Sequence, residues 1–208
     1  MTTIYLTRHG KTLWNLEKRL QGVSNSELTE EGIKQAKSLG DRLDGLDIDV
    51  IYTSPIKRAY ETAQILRNGK NINIIAEDRL KEINFGEYEG STEEELLGMG
   101  KGDEISKIFS GEMDVRAPGG ETLRELYNRI SEVLAEILEI EKGKNVLIVT
   151  HGATLKAIVS YFKKSDEIYD TIMGQTTLSK VICKNGEFEF EFINDRTHLD
   201  DEEVKIGW

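Results

Sequence analysis

Cysteine, proline and histidine are scarce in this chain, whose 208 residues include one cysteine, two prolines and three histidines. The single cysteine, Cys183, excludes an internal disulfide and fits a reducing compartment. No apolar run approaches the roughly 20 residues that a membrane-spanning helix needs. The chain also shows no leader with a positive and then an apolar segment. We therefore expect a cytoplasmic protein that does not enter a membrane.

Positive charge is also in short supply, because 27 lysines and arginines face 38 acidic residues and leave a net charge of −11. Such a charge disfavours binding to nucleic acid or to an anionic membrane surface. Any anion site must therefore be a local cluster of positive groups. Charged residues make up 31% and hydrophobic residues 38% of the chain, which is typical of a globular protein. We expect one domain over residues 1–208.

Two short apolar runs end in the same way. Ile4–Leu6 leads into Arg8-His9-Gly10, and Val146–Thr150 leads into His151-Gly152. Runs of this length and composition predict strands buried within a sheet. Ligands of open α/β sheets bind at the carboxyl ends of strands, where these histidines would lie. Gly10 would also let the backbone approach a ligand closely.

Strand and helix patterns alternate along most of the chain. Further strands are predicted at 49–53, 72–76 and 145–150, and helices begin after Thr29, at Ser54-Pro55, near Leu123 and at Ala153. Asn185-Gly186 predicts a hairpin between strands 176–183 and 187–193. The alternation lapses between Phe85 and Ala117, which we interpret as an inserted lid. The predicted fold class is α/β, a three-layer α/β/α sandwich with a mainly parallel sheet and a lid at about 85–117.

Four motif blocks occur in order along the chain: Leu6–Asn15, Ser54–Ala59, Leu80–Gly86 and Val149–Gly152. Together they resemble the histidine phosphatase superfamily, which is also called phosphoglycerate mutase-like. The resemblance covers nearly the whole chain. It implies an enzyme that transfers phosphoryl groups through a phosphohistidine and needs no metal or other cofactor.

The resemblance also implies a role for each matching residue. His9 would be the nucleophile, with one ring nitrogen oriented by a backbone hydrogen bond. Glu82 would protonate the leaving oxygen and later deprotonate water, although Glu121 is an alternative carboxylate. Guanidinium groups suit phosphoryl oxygens because they are planar and stay charged. The expected phosphate- and substrate-binding residues are Arg8, Asn15, Gln21, Gly22, Arg58, His151 and Gly152, of which Arg8, Arg58 and His151 would also be catalytic. A pocket role for His198 stays open.

The sequence departs from the mutase branch of the family. Ala153-Thr154 follows the second His-Gly, where mutases usually have Asn-Ser, and Ile83-Asn84-Phe85-Gly86 stands where they have Arg-His-Tyr-Gly. The segment 85–117 contains nine acidic and three basic residues, which would disfavour a second phosphate on the substrate. We therefore expect hydrolysis of a small-molecule phosphomonoester whose leaving part is not strongly anionic. The alternatives are a phosphoglycerate mutase and a non-catalytic phospho-ligand binder. The natural substrate and the oligomeric state stay open.

Overall fold

The structure is a computed structural model that describes residues 1–168 and 172–199. Its sheet has six strands: β1 Thr2–Arg8, β2 Val50–Thr53, β3 Asn73–Ala76, β4 Asn145–Thr150, β5 Leu178–Lys184 and β6 Glu187–Asp195. Their order across the sheet is β3-β2-β4-β1-β5-β6. The first four strands in this order run parallel, whereas β5 and β6 are antiparallel to their neighbours. The predicted mainly parallel sheet is therefore confirmed.

Helices cover both faces of this sheet. They are α1 Leu13–Leu16, α2 Glu30–Leu43, α3 Lys57–Leu66, α4 Glu93–Gly98, α5 Gly102–Phe109, α6 Leu123–Ile140 and α7 Gly152–Phe162. Short 3-10 helices occupy Asp78–Leu80 and Gly86–Tyr88. Apolar residues of α2 and α3 share one core cluster with the sheet, and those of α6 and α7 share another. The α/β/α sandwich predicted from the sequence is therefore also confirmed.

The pleat of β1 explains why the sheet needs helices on both faces. Ile4 and Leu6 pack in the cluster with α6 and α7, whereas Tyr5 packs in the cluster with α2 and α3. All three side chains are buried. Burying a side chain of this kind stabilises the fold by about 1.5–3 kcal/mol relative to exposure. Because β1 and β4 pair at the centre, the ends of both strands are fixed by the core.

Two boundaries differ from the sequence prediction. Helix α3 begins at Lys57 with Ile56 as its N-cap, not at Ser54-Pro55, and the Ser54 hydroxyl accepts from the amide of Ile56 in the turn before the helix. Helix α6 ends at Ile140, and Gly143 adopts a positive φ of 88° in the turn that follows. The hairpin is as predicted, since Asn185 and Gly186 both have positive φ, as its tight turn requires.

The segment 85–117 contains α4 and α5 and a small core of its own. That core includes Leu20, Tyr88, Leu96, Ile105, Ile108 and Ala117. Residues at the end of α5 and just after it line the same cavity as Arg8 at the carboxyl end of β1 and Gly152 at the start of α7. We propose that this segment serves as the predicted lid. Within the described residues, no helix is both long enough and apolar enough to cross a membrane.

Candidate active site

The pairing of β1 with β4 brings two of the three histidines together. The amide of His9 donates to the carbonyl of Thr150, 2.9 Å away, and His151 follows Thr150 directly. The two imidazole rings lie with centroids 5.2 Å apart and planes at 61°. Both side chains are buried. Thus two imidazoles converge at the carboxyl edge of the sheet, as the sequence predicts.

The hydrogen bonds of His9 define its tautomer. Nδ1 lies 2.7 Å from the carbonyl oxygen of Gly10, which can only accept a hydrogen bond. Nε2 receives a hydrogen bond of 3.2 Å from Nε of Arg58, which can only donate. The ring hydrogen must therefore be on Nδ1, and the lone pair on Nε2. In this tautomer, Nε2 is the ring nitrogen that carries the nucleophilic lone pair.

Both imidazoles are held in the neutral form. Burial lowers the pKa of His9 well below its usual range, and the Arg58 and Arg8 guanidinium groups lower it further. Burial also lowers the pKa of His151 well below its usual range, with Arg58 as the next cause. A protonated imidazole has no lone pair on Nε2. The low pKa of His9 therefore keeps the nucleophile available even in mildly acidic solution.

Arg58 lies in the first turn of α3 and is fully buried. Besides its bond to His9, its guanidinium donates to the carbonyl of Ser24 at 2.5 Å and to that of Gly22 at 2.7 Å. Three of its five N–H groups thus reach described residues, and two more are available to a phosphoryl group. Burial lowers the pKa of Arg58 to about 10, so the side chain still carries its charge at neutral pH.

Arg8 is the second buried guanidinium of the site. Its Nη1 donates to the carbonyl of Met173 at 3.0 Å. A Cβ atom on Gly152 would lie 3.3 Å from Cζ of Arg8, so glycine lets this guanidinium pack against the start of α7. Burial lowers the pKa of Arg8, and the Glu82 carboxylate opposes that shift. Two cationic groups therefore lie beside the imidazoles within an otherwise acidic protein.

Glu82 lies at the N-terminus of α7. Its Oε1 accepts hydrogen bonds from the amides of Ile83 and Thr154 and from the Thr154 hydroxyl, at 3.0–3.1 Å. Its Oε2 accepts from the amide of Ala153 at 3.2 Å. Helix N-termini favour anionic groups, so this carboxylate is well held there. Because Oε1 already has three partners, Oε2 is the oxygen better placed to exchange a proton with a ligand.

The alternative carboxylate, Glu121, has a different position. It forms two short bonds with Arg129, of 2.7 and 2.9 Å. Arg129 in turn donates to the backbone carbonyl of Glu82 at 3.1 Å. Among the described residues that line the cavity, Glu82 is present and Glu121 is not. The geometry therefore favours Glu82 for proton transfer and gives Glu121 a supporting position.

A cavity of about 560 Å³ opens at this edge of the sheet. Seven predicted site residues line it: Arg8, His9, Gln21, Gly22, Arg58, Glu82 and Gly152. The side-chain oxygen of Gln21 is buried there without a hydrogen-bond partner among the described residues. Within that part of the chain, no group of three or more histidine, cysteine or acidic side chains is arranged to hold a metal ion. The cavity is thus lined by an imidazole, two guanidinium groups and a carboxylate.

Four of the residues singled out in the sequence are not among the described residues that line the cavity: Gly10, Asn15, His151 and His198. The side-chain oxygen of Asn15 accepts from the amide and hydroxyl of Thr12, both at 3.0 Å, and caps α1. Nδ1 of His198 lies 3.0 Å from Nη1 of Arg42, and its Nε2 lies 2.9 Å from the carbonyl oxygen of Thr176. His198 thus connects the C-terminal segment to α2. The close approach at Gly10 is to backbone rather than to a ligand, since a Cβ there would lie 2.6 Å from the carbonyl oxygen of Gly32.

Sequence reasoning missed the importance of Glu89. Its carboxylate accepts hydrogen bonds of 2.8 Å from the amides of Val23 and Ser24 and one of 3.1 Å from the amide of Phe85. The loop that Glu89 holds in this way carries the two carbonyls that bind the Arg58 guanidinium. From the sequence, Glu89 is one acid among nine in an acidic segment. The adjacent Gly90 was the only available signal of a special position.

The acids of segment 85–117 are mostly paired or turned away from the cavity. Among the described residues, Glu112 is the one acid of this segment that lines the cavity. Glu95 bonds Arg19 at 2.9 Å, and Arg19 lies on the cavity wall. This partial neutralisation of Arg19 is a more local effect than the repulsion of a second substrate phosphate by the acidic segment, which the composition predicts. It weakens one of the four basic groups that line the cavity among the described residues.

Comparisons with known proteins agree with the fold. The profile of the histidine phosphatase superfamily (branch 1) matches residues 4–196. A relative from Salmonella choleraesuis, described as "Probable phosphoglycerate mutase GpmB", is 38% identical over 160 residues. The matched region covers 77% of this chain and 74% of the relative. The structure of Bacillus stearothermophilus YhfR superposes with a TM-score of 0.91 and 35% identity, over 96% of this chain and 100% of that one.

A second similar structure carries a ligand. It is a phosphoserine phosphatase variant from Entamoeba histolytica in complex with phosphoserine, with a TM-score of 0.83 and 31% identity over 96% of this chain and 100% of that one. The match of the family profile over nearly the whole chain settles the class. This chain belongs to the histidine phosphatase superfamily. That family includes relatives described as phosphatases and relatives described as mutases.

Proposed function

We propose that this chain hydrolyses phosphomonoesters through a phosphohistidine on His9, without a metal ion. The observation that carries the proposal is the arrangement of His9, whose Nδ1 hydrogen is held by Gly10 and whose Nε2 lone pair faces Arg58. A neutral imidazole in this tautomer is a nucleophile, and its hydrogen bonds fix the orientation of the ring. Glu82, which lines the same cavity, supplies the proton transfer that hydrolysis requires.

In the first step, the lone pair of His9 Nε2 attacks phosphorus and the bond to the leaving oxygen breaks. Glu82 in its acid form gives its proton to that oxygen. Arg8 and Arg58 donate to the other phosphoryl oxygens and stabilise the negative charge in the transition state. In the second step, the Glu82 carboxylate takes a proton from water, the water oxygen attacks phosphorus, and the P–N bond breaks. Phosphate then leaves, and His9 regains its lone pair.

The rest of the cavity wall indicates the kind of substrate. It is mainly apolar and includes Leu20, Ile83, Phe85, Ile108, Phe109, Met113, Leu123, Ile168, Ile172 and Met173. Such a wall favours an organic part that is bulky and weakly charged. Phe109, the last residue of α5, contributes an aromatic surface from segment 85–117. We therefore propose that this segment selects substrates by contact with the organic part of the ester.

The second candidate function is that of a phosphoglycerate mutase, which the description of the Salmonella relative favours. A phosphoglycerate carries a second anionic group close to its phosphate. Two basic side chains beyond Arg8 and Arg58 line the cavity, Arg19 and Lys156, but Glu112 and Glu167 line it as well. This nearly balanced charge offers a second anion little net attraction. The charge distribution therefore supports hydrolysis over mutase activity.

The test compares three substrates in the presence of a chelator: an aryl phosphate, a small alkyl phosphate, and 3-phosphoglycerate with its bisphosphate primer. We expect release of phosphate, with the aryl ester preferred, and transfer of one oxygen from ¹⁸O-labelled water into that phosphate. Phe109→Ala should lower kcat/KM for the aryl ester about tenfold, as lost apolar contact typically does. The matched control is Leu97→Ala, since Leu97 is 55% exposed on α4. Faster interconversion of phosphoglycerates than hydrolysis would instead identify a mutase.

A further inference from the structure

Ser54 is a buried residue whose hydroxyl has two partners. It follows β2 directly and has no exposed surface. Its oxygen accepts a hydrogen bond of 3.2 Å from the amide of Ile56. It also lies 2.8 Å from Nε2 of His151. Because a hydroxyl has one hydrogen and two lone pairs, the hydrogen of this contact can belong to Ser54 or to His151.

The two assignments leave different groups unsatisfied. Nδ1 of His151 is buried and has no hydrogen-bond partner among the described residues. If His151 carried its hydrogen on Nε2, the Ser54 hydrogen would need another acceptor, and Nδ1 would be a buried lone pair. If Ser54 donates instead, the hydroxyl and Nε2 are both satisfied, and only an Nδ1–H group remains without a partner. Buried polar groups are rarely left unpaired, so the second assignment is favoured.

The neighbour of the His151 ring indicates a use for that remaining N–H group. The His151 ring packs edge-on against the ring of His9, with centroids 5.2 Å apart. A phosphoryl group on or near His9 presents oxygens that accept hydrogen bonds. Only the tautomer with hydrogen on Nδ1 offers such a group a donor from this unpaired atom. The other tautomer would present a lone pair and would repel the phosphoryl oxygens.

We propose that Ser54 is a positioning residue, whose hydroxyl donates to Nε2 of His151 and so fixes the imidazole hydrogen on Nδ1 as a donor to the phosphoryl group. The phosphoryl part of this inference rests on the proposed function. The tautomer itself is a property of the resting protein and can be measured without any turnover. Ser54 touches no substrate in this scheme and acts only through His151.

The test uses protein labelled with ¹⁵N at histidine, because three histidines give a spectrum that single variants can assign. Long-range ¹H–¹⁵N correlations distinguish the two neutral tautomers. In the wild-type protein, we expect His151 to carry its hydrogen on Nδ1. A spectrum with the hydrogen on Nε2 would overturn the proposal, whatever the protein is found to hydrolyse. Because this measurement needs no variant of Ser54, misfolding of a variant cannot obscure it.

Variants then test the role of the hydroxyl. In Ser54→Ala, we expect the His151 signals to move toward the other tautomer while those of His9 stay unchanged. We also expect kcat to fall at least about tenfold. Loss of a transition-state hydrogen-bond donor typically lowers kcat by about 10²–10³. Ser54→Thr keeps a hydroxyl and should restore both the tautomer and most of kcat. Unchanged tautomer and kcat in Ser54→Ala would show that Ser54 does not position His151.

Discussion

Replacing Glu82 with glutamine tests the proton-transfer role of this residue with little change in shape. The carboxylate accepts four hydrogen bonds, three at Oε1 and one of 3.2 Å at Oε2 from the amide of Ala153. A glutamine can keep its oxygen at the Oε1 position and place its NH₂ group at the Oε2 position. The substitution therefore loses one weak bond and leaves the amide of Ala153 facing another donor, at a cost of about 1–3 kcal/mol of stability.

The catalytic loss should be larger than this structural cost, and it should depend on the leaving group. General acid catalysis typically contributes about 10²–10⁴ in rate, which corresponds to about 2.7–5.5 kcal/mol. An alkyl phosphate needs a proton on its leaving oxygen and should lose this whole factor in kcat/KM. A p-nitrophenyl ester leaves as a stable anion and should lose less than about tenfold. For this ester, hydrolysis of the phosphohistidine should become slow, with a burst of nitrophenolate in the first turnover.

The assay is kcat/KM for both esters, since this constant reports the steps up to the first irreversible one. Glu121→Gln is the matched control, because Glu121 pairs with Arg129 away from the cavity. We expect that control to change kcat/KM by no more than a few-fold for either ester. An equal loss on both esters in Glu82→Gln would refute the assignment of Glu82 as the acid. So would a loss in Glu121→Gln that matches it.

Two further predictions concern acid stability and the Arg58 loop. In the folded protein, the pKa of His9 is well below its usual range. Below about pH 6.5 the unfolded chain therefore binds more protons than the folded protein. As a result, the free energy of unfolding falls as the pH falls, by up to about 1.4 kcal/mol per pH unit. Between pH 6.5 and 5, the free energy of unfolding measured in urea should fall less steeply in His9→Gln than in the wild-type protein. Equal slopes for the two proteins would contradict this prediction. Glu89→Gln removes acceptors from the loop that binds Arg58, so the inhibition constant of inorganic phosphate should rise about tenfold, as loss of charge-assisted bonds implies. The exposed neighbour Glu87 gives the control variant Glu87→Gln, and equal inhibition constants in the two variants would count against this role.

The parts of the fold that sequence could predict are those determined by local pattern. Short apolar runs ending in His9-Gly10 and His151-Gly152 predicted adjacent strand ends, because parallel strands place their carboxyl ends at one edge. Asn185-Gly186 predicted its hairpin for an equally local reason, since both residues tolerate positive φ. The family resemblance added Arg58 and Glu82, whose placement in the cavity no local pattern determines.

What sequence could not predict depends on contacts between distant segments. Ser54-Pro55 has the composition of a helix cap, yet the Ser54 hydroxyl lies against a histidine 97 residues away. Glu89 has the composition of a solvated acid, yet it holds a loop 65 residues earlier. Asn15 matches a phosphate-binding position of the family, and its side-chain oxygen bonds Thr12. In each case the side chain has two chemically reasonable partners, and only the tertiary arrangement decides between them.

The central claim is that His9 carries the phosphoryl group between substrate and water. Its most direct test is rapid quenching during turnover of a ³²P-labelled phosphomonoester with a chelator present, followed by mapping of the label. We predict an acid-labile label on Nε2 of His9, formed and lost at least as fast as product appears, and longer-lived in Glu82→Gln. His9→Ala should show neither label nor turnover. Turnover without any label on His9, or a label on His151 instead, would contradict the account.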